Sequence, residues 1–326
     1  MSKDKLTEQY KKATSFEAVL NSLNSQLSLS QKELFKKNIK DQTSIHVIGS
    51  PRSGTTLLMQ LLISNFDLGY VNNFIATFWN APLYGIHLSK KLLGDNYKSN
   101  LKSDFGRTNN IQEPHEFGYF WKHHLQYKDH LQQTYNPIHT IDWDQLRQIL
   151  YQMGLAYNKP IIYKSFLYGF HIEEAVKMMP KTLFIHIKRD LYPNAFSILK
   201  LRKKMFGNET IWASMKPHQY SFLKNENIYR QIIGQILFLN YEYEKQLKNI
   251  PSKNKLVIEY SNLCNNTGVV LENAYNKITG LELIKKLDHE RRVDIIENKS
   301  TNFGQHYEGF KEAELWLKSN FKELTC

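Results

Sequence analysis

The sequence predicts an α/β protein: one domain with a central parallel β-sheet and helices on both faces. Three observations predict it. Residues 44–58, Ser-Ile-His-Val-Ile-Gly-Ser-Pro-Arg-Ser-Gly-Thr-Thr-Leu-Leu, read as a buried strand, a glycine turn and a helix. Further short apolar runs at 160–166, 182–189 and 255–260 each precede a helical pattern. Each run is nearly continuous rather than alternating, as in strands covered on both faces. No internal repeat, low-complexity tract or linker divides the 326 residues, which suffice for one large domain with a sizeable core.

Taken in order, residues 1–43 are polar with apolar positions at Phe16, Val19, Leu20, Leu23, Leu27 and Leu29, which predicts an N-terminal helical extension packed on the edge of a domain spanning 44–326. Ile45, Val47 and Ile48 form the first strand. From Thr55 the pattern turns helical, with Leu57, Leu58, Leu61 and Leu62 on one face. Residues 68–95 predict a short strand and helices. Leu83, Ile86, Leu88, Leu92 and Leu93 read as core, with an acceptor pocket of Phe78, Trp79 and Tyr84 as the second reading. Residues 96–140 are loop-rich, and Pro114 is expected to open a helix with Glu113 near its N-terminus. The strand at 160–166 ends near Lys164, helix 171–179 follows, and the strand at 182–189 ends at Arg189 before helix 191–205. A long helix at 226–249, a strand at 255–260 and a helix at 268–279 complete the pattern. In such sheets ligands bind at the C-terminal ends of strands, where Gly49, Lys164 and Arg189 all fall.

Composition narrows the partners. The chain carries 43 Lys and Arg against 31 Asp and Glu, a formal charge of +12. That surplus suits an anionic ligand (nucleotide, nucleic acid, sulfated glycan or acidic lipid headgroup), or else a solvated lysine surface such as Lys36, Lys37 and Lys40. Two cysteines, Cys264 and Cys326, make no disulfide framework and no zinc site, which fits a reducing compartment. The N-terminus has no apolar signal-peptide core, and no stretch reaches the about 18–20 apolar residues of a membrane span. A cytoplasmic location is therefore expected. His115, His123, His124, His130 and His139 have no His-x3-His spacing and no cysteine partner, so no metal is expected.

The loop carries the chemistry. Gly49 to Gly54 has the Gly-x4-Gly spacing of a phosphate loop, in which backbone N–H groups and a helix N-terminus surround an anion. A nucleoside-triphosphate loop has lysine after the second glycine. Here Thr55 and Thr56 follow, and the cation is Arg52 inside the loop. An arginine fork suits a short phosphate or sulfonate tail better than a magnesium triphosphate.

Gly-Ser-Pro-Arg-Ser-Gly-Thr-Thr-Leu-Leu resembles the 5′-phosphosulfate loop of sulfotransferases that use 3′-phosphoadenosine 5′-phosphosulfate (PAPS). Arg189-Asp-Leu-Tyr-Pro-Asn-Ala-Phe-Ser197 resembles their 3′-phosphate motif, a strand-end Arg and a Ser eight residues on. Ile162-Tyr-Lys-Ser-Phe166 matches the Lys-Ser/Thr-Pro strand of the bacterial-type branch, with Phe166 replacing Pro, and Val257–Leu263 partly matches a strand-and-turn element. The resemblance spans about residues 44–283. It implies a P-loop-like sulfotransferase fold and PAPS as co-substrate. Ser50, Pro51, Arg52, Ser53, Gly54, Thr55 and Thr56 would hold the 5′-phosphosulfate, and Arg189 and Ser197 the 3′-phosphate. Lys164 would contact the bridging oxygen.

The histidine base of the steroid and phenol enzymes is replaced by Phe166, and the stretch after the loop helix offers only Asn72 and Asn73. Glu116 and then His115 are the expected bases, with Glu113 third. At helical spacing Glu113 and Glu116 share a face, and such a pair would raise one carboxyl pKa. Lys299 and Ser300 are further phosphate contacts to consider. The acceptor implied is a hydroxyl or amine on a glycan, glycolipid or small metabolite, with no nucleic-acid partner. Other readings are a P-loop kinase and a non-catalytic basic glycan- or nucleic-acid-binding protein.

Overall fold

The computed structural model describes residues 5–37, 41–94, 97, 99–127, 140–282, 284–287 and 303–324. Lys40, His130, His139, Lys299, Ser300 and Cys326 lie outside the described residues. Five parallel strands form the sheet: β1 (Ser44–Ile48), β2 (Gly69–Tyr70), β3 (Ile161–Lys164), β4 (Thr182–Lys188) and β5 (Lys255–Glu259), in the order β2-β3-β1-β4-β5. The chain leaves β1 towards β3 on one side and β4 on the other, so the C-terminal end of β1 is a switch point with a natural crevice. Registers such as Val47 beside Lys164 and Ile48 beside His186 bring these strand ends level.

Helices dress the sheet and its edges. Ile45, Val47, Ile162, Ile185 and Ile187 point to one face and pack on α2 (Thr55–Asn65) and α11 (Thr267–Thr279). Ile48, Ile161, Tyr163 and Phe184 point to the other, against α4 (Gly118–His124), α5 (Trp143–Tyr157) and α6 (Ile172–Met178). The period of two along each strand separates the two cores. A third core joins α7 (Leu191–Phe206), α9 (Ile228–Lys248) and α12 (His306–Asn320). Near the N-terminus, α1 (Thr14–Ser30) is pinned by its buried Asn24, whose amide donates to Thr77 O (2.7 Å) and accepts from Asn80 N (2.7 Å). Among the described residues no helix is long and apolar enough to cross a membrane.

Several expectations need correction. Helix α2 is not amphipathic: every residue but Leu57 is buried, because the sheet covers one side and the 99–113 segment the other. Pro114 does not open a helix. It bridges Asn72 as an antiparallel partner, and α4 begins only at Gly118. Hence Glu113 and Glu116 do not share a helical face. Leu83 and Ile86 of α3 (Pro82–Leu93) are core, but Leu88 and Leu92 are exposed. Phe78 is buried and Trp79 packs on the α4 core, while the Tyr84 hydroxyl meets Ser30 Oγ (3.0 Å). None of the three lines the cleft described below.

Candidate active site

A cleft of about 580 Å³ opens at the C-terminal ends of β1, β3, β4 and β5. Its first wall is the β1–α2 loop. Gly49 leaves β1 where a Cβ would come within 2.5 Å of Ser53 Oγ and 2.6 Å of Ile187 O, so only glycine fits. Gly54 adopts φ 109°, and a Cβ there would meet the Tyr260 ring at 2.5 Å. The first-turn N–H groups of α2 have no acceptor within the helix, and Thr55 and Thr56 line the cleft. Ser53 Oγ is buried and has no hydrogen-bond partner. Fully buried Asn194 of α7 braces the loop. With its amide oriented to suit the network, its nitrogen donates to Pro51 O (2.7 Å) and its oxygen accepts from Ser50 Oγ (2.7 Å).

Two guanidiniums share this wall. Arg52, held at φ 70°, donates from Nε to Ser197 Oγ (3.1 Å), and Arg189 donates from Nη1 to Arg52 O (3.1 Å) while lying over the Tyr260 ring at 4.6 Å. Neither forms a salt bridge among the described residues. Burial, and then the neighbouring positive charge of Arg189, push the Arg52 pKa down to about 10. Arg189 and Ser197 thus meet through Arg52, and Ser197 itself does not line the cleft.

Lys164 ends β3 at the floor and is 3% exposed. Its ammonium donates to Thr56 Oγ1 (2.7 Å) and Gly106 O (3.4 Å), and pairs with Glu116 Oε1 (2.6 Å). Three protons therefore have three acceptors. The Glu116 side chain is about half open to the cleft yet surrounded by protein on its other sides. Burial works to raise its pKa, but the charge and hydrogen bond of Lys164 outweigh it and hold the carboxyl below its ordinary range.

The opposite wall comes from residues 99–116. Asp104 and Arg107 pair across a tight turn whose central residues, Phe105 and Gly106, both have positive φ (49° and 87°), the pattern of a type I′ turn. Glu113 ties this segment down. Fully buried, its carboxylate accepts from Gln60 Nε2 (2.7 Å), Ser99 Oγ (2.8 Å), Tyr97 OH (2.9 Å) and Asn100 N (3.0 Å). Asn73 N donates to Glu113 O (3.0 Å) and His115 N to Val71 O (2.9 Å), so residues 113–115 run beside the end of β2 and deliver Glu116 to Lys164. His115 does not line the cleft. Its Nδ1 accepts from Phe117 N (2.9 Å), and burial lowers its pKa to about 4.

Arg52, Thr55, Thr56, Glu116, Lys164 and Arg189 therefore converge on one cleft. The carboxylate pair expected from spacing is not formed: Glu113 is a structural anchor and Glu116 faces a lysine. Phe105, Gly106, Ser214 and Tyr260 also line the cleft, and sequence reasoning misses them. Asp-Phe-Gly-Arg at 104–107 is a turn signal that would have drawn attention to the first two. Among the described residues no group of acidic, histidine or cysteine side chains is arranged to hold a metal.

Fold and site together define an α/β protein with a cation-lined strand-end cleft built on a lysine-free phosphate-type loop. Residues 44–283 match the sulfotransferase family, and the chain belongs to it. Over 206 residues it is 26% identical to the omega-hydroxy-beta-dihydromenaquinone-9 sulfotransferases Stf3 of Mycobacterium bovis and Mycobacterium tuberculosis, a stretch covering 57% of this chain and 53% of theirs. The chain spans about half the length of the curated relatives it matches. Its fold is similar to that of sulfotransferase STF1 from Mycobacterium tuberculosis (TM-score 0.51, 13% identity, 84% of this chain and 78% of that one). It is likewise similar to STF9 from Mycobacterium avium (TM-score 0.50, 12% identity, 86% and 69%).

Proposed function

We propose that this protein transfers the sulfuryl group of PAPS to a hydroxyl on an acceptor with an apolar body. The observation that carries the donor is the guanidinium pair: Arg52 and Arg189 face one cleft without a salt bridge among the described residues, beside the open N-terminus of α2. Two like charges held together in a partly dry cleft favour an anion between them. The N–H groups of the phosphate loop and the Thr55 and Thr56 hydroxyls, which line the cleft, fit the 5′ end of the donor, whereas Ser53 is buried behind the loop. Arg189, with Ser197 reached through Arg52, fits the 3′-phosphate.

The chemistry follows from charge. As the bond from sulfur to the bridging oxygen breaks, its electron pair stays on the 5′-phosphate, where Arg52, Lys164 and the Thr55 and Thr56 hydroxyls stabilise the growing charge. The new bond forms to the acceptor oxygen, and Glu116 accepts the proton that this oxygen loses. Phe105, Phe166 and Leu201 give the cleft an apolar side. That side suits an aromatic or lipid alcohol, in keeping with relatives whose name specifies an omega-hydroxylated menaquinone derivative.

Thermal unfolding with 3′-phosphoadenosine 5′-phosphate (PAP) beside 5′-AMP tests the donor site, on wild type and Arg189→Ala. PAP at a hundredfold excess over Kd should stabilise by about 2.7 kcal/mol. AMP should do far less, and Arg189→Ala should lose the difference. No stabilisation by millimolar PAP would overturn the proposal.

A further inference from the structure

The Lys164–Glu116 pair is an awkward arrangement for catalysis. The base that must collect a proton is held, at 2.6 Å, by the cation that must serve the leaving oxygen. Lys164 has no spare proton to donate, since Thr56 Oγ1 and Gly106 O take the other two. To reach a donor phosphate it must release an acceptor. The Thr56 hydroxyl stands in the first turn of α2 beside the phosphate loop, on the side of the donor, whereas Glu116 belongs to the opposite wall.

We propose that the donor unmasks its own base: the phosphosulfate draws the Lys164 ammonium away from Glu116, and the freed carboxylate then accepts the acceptor proton. The inference rests on the PAPS reading above. Without donor, the pair is closed and Glu116 is a weak base whose charge is already satisfied. With donor bound, Lys164 neutralises the 5′ anion, and Glu116 faces the cleft with a second negative charge close by. Both changes strengthen the carboxylate as a base. Lys164 and Glu116 then stand on either side of the sulfuryl group, one beside the leaving oxygen and the other beside the attacking one. The proton, the new S–O bond and the departing electron pair each have a receiver. Binding becomes ordered, with the donor required before the acceptor can be deprotonated.

The other charged groups around Glu116 bear on its titration. His115 is adjacent, Arg107 approaches from the turn and Arg52 from the phosphate loop. Desolvation by the surrounding protein lowers the His115 pKa to about 4, below the pH at which the balance is read. Arg52, with its pKa lowered only to about 10, keeps its charge throughout. The free protein holds the Glu116 carboxyl below its ordinary range. Loss of the lysine contact raises it, so the proton balance of donor binding must change in the weakly acidic range.

Calorimetric titration of PAP near pH 5.5, in two buffers of different ionisation enthalpy, reads that balance. The wild type should take up a fraction of a proton that Glu116→Gln lacks, while Glu116→Gln still binds PAP. Glu116 is half open to solvent, so this variant should fold. Lys164→Met should also lack the Glu116-dependent uptake, because its carboxylate has no cation to lose. Equal proton balances in wild type and Glu116→Gln, with PAP bound by both, would overturn the unmasking and leave the donor site standing. Absence of PAP binding in all three would overturn both.

Discussion

The two walls of the cleft are held by opposite means. On the β1–α2 wall, Arg52 and Arg189 stand together without a salt bridge among the described residues, and burial and then the charge of Arg189 lower the Arg52 pKa to about 10. On the wall formed by residues 99–116, Glu113 is fully buried and satisfied by four donor groups from two segments of chain. One wall gathers like charges that repel. The other is complete in itself and serves as a fixed frame. Glu116, three residues from Glu113, belongs to the first kind although it sits on the second wall: its partner is Lys164, and that contact can be exchanged. Environment, not spacing, separates the two carboxylates.

The contrast predicts that mutations on the two walls fail differently. The largest effect is expected at Arg52. Arg52→Ala should weaken PAP binding by roughly 10²–10³-fold, the worth of a charge-assisted pair at a phosphate. The ligand-free protein should melt no lower than wild type, because removing one of two crowded cations relieves repulsion. Isothermal titration with PAP and unfolding without ligand measure the two separately. A variant that lost stability and kept PAP affinity would break the comparison.

Glu113→Ala should do the reverse. It leaves the Gln60 amide, the Ser99 hydroxyl and the Asn100 N–H without their acceptor in the interior. The expected loss is about 3 kcal/mol of stability in denaturant unfolding, since buried donors keep their desolvation cost when the acceptor is removed. PAP affinity should fall less than in Arg52→Ala, through loosening of the opposite wall alone.

The same contrast explains what the sequence makes legible. The first wall is read directly because its parts are local: a β-branched run, two glycines at fixed spacing, and cations at strand ends. Lys164 and Arg189 fall at the ends expected because the sheet is parallel and its strands stop together. The second wall depends on pairings distant in sequence. Pro114 looks like a helix start, but the backbone of 113–115 finds its partners at Val71 and Asn73 and stays extended. Glu113 reads as a solvated or catalytic acid until Gln60 is known to lie beside it. Ser197 is legible as part of a motif, but its contact with Arg52 is not. Helix α5 is a different omission. Leu146, Ile149, Leu150 and Met153 have helical spacing, and Asp142 caps it by accepting from Gln145 N (2.9 Å). That helix carries no motif, and only its periodicity marks it.

The smallest effect is expected where the two walls touch. Asp104, at the tight turn, meets Lys204 of α7 at 2.6 Å through both carboxylate oxygens. Each side chain is about one-third exposed, so the pair is screened and its contribution to stability should stay within about 1 kcal/mol. Asp104→Ala should therefore leave the denaturation midpoint almost unchanged. Its kinetic effect should be larger than its thermodynamic one. The turn carries Phe105, whose ring lies 5.1 Å from the Arg52 guanidinium, and Gly106, whose carbonyl accepts from Lys164. Without the Lys204 contact the turn keeps the packing of Phe105 on Leu201 and Phe206, the Gly106 carbonyl's bonds and Arg107 stacked over the Tyr10 ring at 4.2 Å. A looser turn lets bound nucleotide leave sooner, so stopped-flow displacement of a fluorescent PAP analogue should show dissociation several-fold faster, with little change in association. If both rates match wild type, the turn does not close over the ligand, and the second wall is a frame for Glu116 alone.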